Sequence, residues 1–94
     1  MDIKLSPLAR EDLGDIWHYI ALDNEEKATE LVVALQKRIQ ELSDFPSLGV
    51  HRKWLKKDER MLIVGNYNIF YRTKREFILI LRILHGNREI KDFF

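Results

Sequence analysis

Two apolar stripes at helical spacing fill most of the first half of this 94-residue chain, parted by the polar pair Asp23-Asn24. Leu13, Ile16, Trp17 and Ile20 form the first; Ala28, Leu31, Val32, Leu35, Ile39 and Leu42 form the second. Ser6 suits the N-cap of the first helix and Pro7 its first position, so that helix should run from about Pro7 to Leu22. Glu11 and Asp12 follow early, where the helix dipole favours acids. Asn24 suits the second N-cap, with Glu25 and Glu26 in the first turn behind it. Phe45-Pro46 should end the second helix, because proline disfavours helical geometry in the residue before it. A link this short forces the two helices to lie antiparallel, and their shared apolar face then needs a cover.

The second half supplies the cover. Ile3 and Leu5 alternate with polar residues and read as a short N-terminal strand. Met61–Val64, Tyr67–Thr73 and Phe77–Leu84 read as three more strands. Gly65-Asn66 is a two-residue hairpin turn and Lys74-Arg75-Glu76 a second short connection. The near-continuous apolar run of the last strand places it centrally in the sheet. A two-residue turn sets Leu62 opposite Ile69 and Val64 opposite Tyr67. A three-residue turn at Lys74–Glu76 sets Tyr71 opposite Leu79, Ile69 opposite Leu81 and Asn68 opposite Arg82. The helices should then rest on Leu62, Val64, Tyr67, Ile69, Tyr71, Leu79, Leu81 and Ile83. The expected fold is α+β: an N-terminal strand and an antiparallel helical hairpin on a mainly antiparallel sheet of about four strands. Residues 1–94 form one domain.

Composition narrows the function classes. There is no cysteine, so disulfide frameworks and thiolate metal sites are excluded. His18, His51 and His85 are scattered, and no metal or cofactor is expected. No signal-peptide pattern opens the chain, and its longest apolar run, Phe77–Leu81, is too short to span a bilayer. No membrane role and a cytoplasmic location are therefore expected. The net charge of +1 conceals an asymmetry: residues 1–50 carry ten acidic and five basic groups, residues 51–94 five acidic and eleven basic. The halves bear −5 and +6, and the basic half suits an acidic protein or a nucleic acid.

Several segments together carry a family resemblance. Leu5-Ser6-Pro7, Ala9, Asp12-Leu13, Ile16-Trp17 and Tyr19-Ile20 resemble the first helix of ParE-type toxins. Pro46-Ser47-Leu48-Gly49, Arg60 through Tyr67, Phe70-Tyr71-Arg72 and Ile80 through Arg88 are similar to the same family in the same order. The resemblance covers nearly the whole chain. It implies membership of the RelE/ParE superfamily of type II toxin–antitoxin modules and a helical hairpin on an antiparallel sheet. It also implies a cognate antitoxin that neutralises the toxin within a hetero-oligomer. ParE-like relatives poison DNA gyrase, whereas RelE-like relatives cut messenger RNA on the ribosome.

Cleaving RNA requires groups that deprotonate the 2′-hydroxyl, stabilise the phosphorane and protonate the leaving oxygen. Arg60, Arg82 and His85 are the candidates, and direct nucleic-acid binding belongs to this alternative alone. Arg60 precedes an apolar strand and is placed to pair with an acid on the helical hairpin. Arg82 interrupts an apolar strand, which costs burial unless its charge is paired or exposed. The loop His51-Arg52-Lys53-Trp54-Leu55-Lys56-Lys57 interleaves basic residues with an aromatic. We expect Trp54 to anchor it, ahead of docking an acidic antitoxin segment or stacking on a base. Binding of antitoxin or target is assigned to Arg52, Lys53, Trp54, Lys56, Lys57, Arg60, Arg72, Arg82 and Arg88. Trp17 and Tyr19 read as hairpin core, and Glu11, Asp12 and Asp15 as a solvated acidic face.

Overall fold

The computed structural model describes residues 1–86, and the expected site residue Arg88 lies outside them. Strand β1 (Asp2–Leu5) leads into helices α1 (Pro7–Ala21) and α2 (Glu25–Glu41), followed by β2 (Glu59–Val64), β3 (Tyr67–Thr73) and β4 (Phe77–His85). Both N-caps act as the sequence indicates. Ser6 Oγ accepts from Ala9 N–H at 3.0 Å, and Asn24 Oδ1 accepts from Lys27 N–H at 3.0 Å. Each cap satisfies one of the donors a helix start leaves open, and Pro7 needs no partner there.

The sheet order is β1-β4-β3-β2, so β4 is internal. β2, β3 and β4 run antiparallel in sequence, and β1 lies parallel to β4. Between the two parallel strands the chain passes through the helical hairpin and then β2 and β3, and the hairpin covers one face of the sheet. Ala9, Leu35, Ile39 and Leu42 from the helical side meet Leu62, Ile69, Tyr71, Ile78, Ile80 and Ile83 from the sheet in one core. A smaller cluster of Leu55, Met61, Phe70 and Leu84 is packed separately.

The β2–β3 register is the expected one, with Leu62 opposite Ile69 and Val64 opposite Tyr67. Gly65 adopts the left-handed conformation that this turn requires, at φ 57°. The β3–β4 register differs. Thr73 pairs with Ile78, so four residues separate the paired positions, one more than expected. A one-residue slip exchanges the faces of a strand. Ile78 and Ile80 therefore enter the core in place of Leu79 and Leu81, and Tyr71 faces Ile80. A bulge then restores the phase: Phe70 faces Arg82 while Tyr71 faces Ile80, leaving Leu81 as the extra residue. Beyond it Ile83 occupies the core as expected, Ile69 faces Ile83, and Asn68 faces Leu84 instead of Arg82.

The connection from α2 to β2 is pinned by a buried phenol. Gly49 N–H donates to Tyr71 Oη at 2.9 Å, and that hydroxyl donates to the Pro46 carbonyl at 2.8 Å. Burial raises the Tyr71 pKa above the ordinary phenol value, against the lowering influence of the Gly49 N–H and the Arg60 charge. A Cβ at Gly49 would stand 2.7 Å from the Tyr71 ring and 3.0 Å from the Met61 carbonyl, so the packing there requires glycine. Two substitutions test this joint. Tyr71→Phe takes the partner from the buried Gly49 amide and the partly buried Pro46 carbonyl and should cost about 1–3 kcal/mol. Gly49→Ala should cost a similar amount, about 1–3 kcal/mol, through overpacking. Urea unfolding monitored by tryptophan fluorescence measures both, and wild-type midpoints would show that the joint is unimportant.

Candidate functional site

Among the described residues, no group of three or more metal-ligating side chains comes together, and no helix is long and apolar enough to cross a membrane. Two surfaces gather the chemistry that the chain offers. The first is a groove of about 770 Å³ between α1 and the end of β4. Its walls carry Glu11, Asp12, Asp15 and Tyr19 from α1, Tyr67 from β3, and Arg82 and His85 from β4.

The floor of this groove is an ion pair. β1 accompanies β4 only as far as Ile80, so the next stretch of that edge has no strand beside it. The start of α1 takes its place. Ser6 N–H donates to the Ile80 carbonyl at 2.9 Å, and Ser6 Oγ donates to the Leu81 carbonyl at 2.8 Å. Asp12 then accepts three hydrogen bonds, each of 2.9 Å, from Arg82 Nε, Arg82 Nη2 and the Ile83 N–H. Both charged side chains are largely buried, at 10% exposure for Asp12 and 14% for Arg82. The hydrogen bond that Arg82 donates to Asp12 raises the Arg82 pKa further above its already high value, outweighing desolvation. Asp12 is thus no part of a solvated acidic face, and it lies beyond the first turn where the dipole would explain it. Its position three residues after Ala9 and four before Ile16 places it within the buried stripe. With Arg82 breaking an apolar strand, the pairing carries a signal that the sequence reading passed over.

Nearer the mouth, Tyr67 packs edge-on against the half-buried His85, with ring centres 5.3 Å apart. Burial, and then the neighbouring Tyr19 phenol, raise the Tyr67 pKa above the ordinary value. Tyr19 is 78% exposed and does not belong to the hairpin core. Trp17 is half-buried, and its Nε1 donates to Thr29 Oγ1 at 3.1 Å between the helices.

The second surface is the loop before β2. Arg52, Lys53, Lys56 and Lys57 are exposed, and none of their side chains has a partner among the described residues. The principal anchor of this loop is Leu55, which is buried in the smaller cluster; Trp54 is 54% exposed and leans on Phe70 at 6.0 Å between ring centres. The buried Glu59 holds the base of the loop. It accepts from Lys56 N–H at 3.0 Å and from Arg72 Nη2, while Arg72 Nε lies 3.5 Å from Asp58. Arg60 finds no acid on the hairpin; it donates to the Gly49 carbonyl at 2.8 Å.

The strand arginines are therefore dispersed. Arg60 pairs across the strands with Tyr71 and Arg72 with Glu59, so these two side chains lie on opposite faces of the sheet. Arg82 and His85 share the groove, whereas Arg60 is not among its lining residues.

Comparison with known proteins adds independent information. Residues 3–90 match the family model described as ParE toxin of type II toxin-antitoxin system, parDE. A chromosomal ParDE system from P. aeruginosa includes a chain of similar structure, with 28% identity and a TM-score of 0.77. The match covers 90% of this chain and 95% of that one. The RelBE2 toxin–antitoxin complex of Mycobacterium tuberculosis is similar at 21% identity and a TM-score of 0.66, over 89% and 95% of the two chains. The RelB–RelE complex of Methanococcus jannaschii is similar at 21% identity and a TM-score of 0.56, over 96% of each chain. At that identity the last two establish shared fold alone. No curated protein sequence matches significantly.

The Asp12–Arg82 pair makes a quantitative prediction. Asp12→Ala takes the carboxylate away from the largely buried Arg82 guanidinium and the Ile83 amide, and should destabilise the chain by about 3–5 kcal/mol. Adding Arg82→Met should recover part of that loss, since the buried charge that lost this carboxylate is then gone. A urea midpoint for Asp12→Ala within error of wild type would rule out this role.

Proposed function

The chain belongs to the ParE toxin family of type II toxin–antitoxin systems, and we propose that DNA gyrase is its target and that a cognate antitoxin holds it inactive in a hetero-oligomer. One observation carries the choice of target: the family match is to ParE toxins and extends over residues 3–90. The P. aeruginosa relative, itself a ParDE system, supports it. The dispersion of the arginines favours the same reading. An RNA-cleaving site would have to collect Arg60, Arg82 and His85 around one phosphate, yet Arg60 lies away from the groove and Arg82 is committed to Asp12. A poison that acts by binding requires only surfaces.

The antitoxin is proposed to cover the basic loop. The side chains of Arg52, Lys53, Lys56 and Lys57 have no partner among the described residues, and exposed Trp54 offers the aromatic anchor on which interface energies often concentrate. Arg60, Arg72 and Arg82 are occupied within the chain, so their contribution to that contact is support from behind.

Purified gyrase is the test. Added chain should block supercoiling and accumulate cleaved DNA, and prior addition of the antitoxin should prevent both. Absence of inhibition in toxin excess, together with cuts in translated messenger RNA seen by primer extension, would replace this target with that of the RelE-like relatives.

A further inference from the structure

The loop before β2 lies on the side of the sheet away from the helical hairpin. Leu62 and Ile69 meet the helices in the main core, so their chain neighbours Met61 and Phe70 point the other way, and Leu55 packs with those two. The sheet thus stands between layers of opposite charge. Residues 7–41, which include both helices, hold eight acidic groups and four basic ones. Residues 52–57 hold four cations and no acid. The next acids along the chain, Asp58 and Glu59, are both turned to Arg72. Such a division of charge draws a polyanion to the loop side of the molecule.

Trp54 stands among these cations. It is 54% exposed, and its ring leans on Phe70 at 6.0 Å between centres, so the indole has a backing and an open side. Cations around an exposed ring are what a nucleic-acid strand requires: the charges follow the phosphates, and the ring stacks on a base of any identity. An acidic peptide matches the charges; a strand of unpaired bases matches the charges and the flat ring together. The sequence reading reserves nucleic-acid contact for an RNA-cleaving chain. Gripping a strand needs no catalytic group, however, so the dispersal of Arg60, Arg82 and His85 does not bear on it.

We infer that the loop at 52–57 binds single-stranded DNA, with Arg52, Lys53, Lys56 and Lys57 on phosphates and Trp54 stacked on a base. The inference rests on the reading of the chain as a gyrase poison, and it gives that poison a second ligand. A reaction stopped at cleaved DNA leaves strand ends beside the toxin, and a grip on one of them would hold the break open. An antitoxin seated on the same loop would exclude the strand, so covering the loop and releasing the DNA become one event.

The test is fluorescence anisotropy of a short fluorescein-labelled oligothymidylate with the full chain. Binding should weaken as salt rises, with a log–log slope of roughly 2–3, at about 0.7 for each of the phosphates held. Lys56→Ser/Lys57→Ser should lower that slope by about 1.4. Lys27→Ser/Lys37→Ser makes the same net-charge change at two exposed positions of α2 and should leave the slope near its wild-type value. Trp54→Ala should weaken binding about fivefold or more with the slope unchanged, and Trp54→Tyr should restore most of it. Circular dichroism shows that each variant remains folded. Equal loss in the two lysine pairs would reduce the effect to overall charge and overturn the inference. So would full affinity in Trp54→Ala, equal affinity for the matching duplex, or tighter binding of a glutamate-rich peptide than of the strand. Supercoiling by gyrase reads the target separately. Inhibition without strand binding removes the loop's ligand and keeps the target, whereas strand binding without inhibition removes the target and keeps the ligand.

Discussion

Three hydrogen bonds to one carboxylate organise this molecule. Asp12 reaches from α1 to the stretch of β4 that no strand accompanies, and there it satisfies the Ile83 amide and the Arg82 guanidinium together. An open strand edge invites pairing with another chain, and a helix laid along it is one of the ways proteins prevent that. Ser6 begins this cover and Asp12 completes it, so the first two turns of α1 serve as a substitute strand. The bulge at Leu81 belongs to the same arrangement. It shifts the phase of β4 at the point where β1 ends, and Ile83 returns to the core beside the arginine that Asp12 holds. A buried ion pair seldom contributes much net stability compared with an apolar replacement. Its value here is directional, since it fixes α1 at one height along β4 and leaves the groove beside it.

Charge is sorted by the same means. Each acid with a structural role lies against an arginine: Asp12 against Arg82, Glu59 and Asp58 against Arg72. Among the described residues without an ion pair, Glu11 and Asp15 line the groove, and Arg52, Lys53, Lys56 and Lys57 stand on the loop before β2. Leu55 holds the middle of that loop to the body and Glu59 its base, so its cations are displayed on a fixed support. The near-neutral total of +1 thus conceals local fields of opposite sign, which act at short range because salt screens exposed charges farther apart.

The hairpin was legible in the sequence because each of its signals is local: a serine before a proline, an asparagine before two glutamates, apolar residues three and four apart. The first strand hairpin was legible for the same reason, since Gly65-Asn66 admits one register. β4 was different. Phe77 to Leu81 is apolar at every position, so alternation cannot tell Ile78 and Ile80 from Leu79 and Leu81. The phase was set by one additional residue in the preceding connection and by a bulge that no composition announces. The groove was illegible for a related reason. Asp12 and Arg82 are 70 residues apart, and each taken singly has an ordinary explanation. Tyr19 continues the α1 spacing yet faces outward, because the wall it belongs to stands beyond the edge of the sheet.

Several of the residues that carry the family resemblance turn out to be joints. Ser6 and Asp12 fasten α1 to β4, Gly49 and Tyr71 lock the exit from α2, Gly65-Asn66 turns the first strand hairpin, and Arg60 ties β2 to the Gly49 carbonyl. Such a signature specifies a scaffold, and a scaffold can support more than one activity. That accounts for structural likeness to ParDE and RelBE systems alike. What separates the action of one such protein from another must then reside in side chains the scaffold does not consume. In this chain they include Leu8, Glu11, Asp15 and Tyr19 along the groove, and Arg52, Lys53, Trp54, Lys56 and Lys57 on the loop. Exchanging these between two members while leaving the joints untouched should move partner choice without moving the fold.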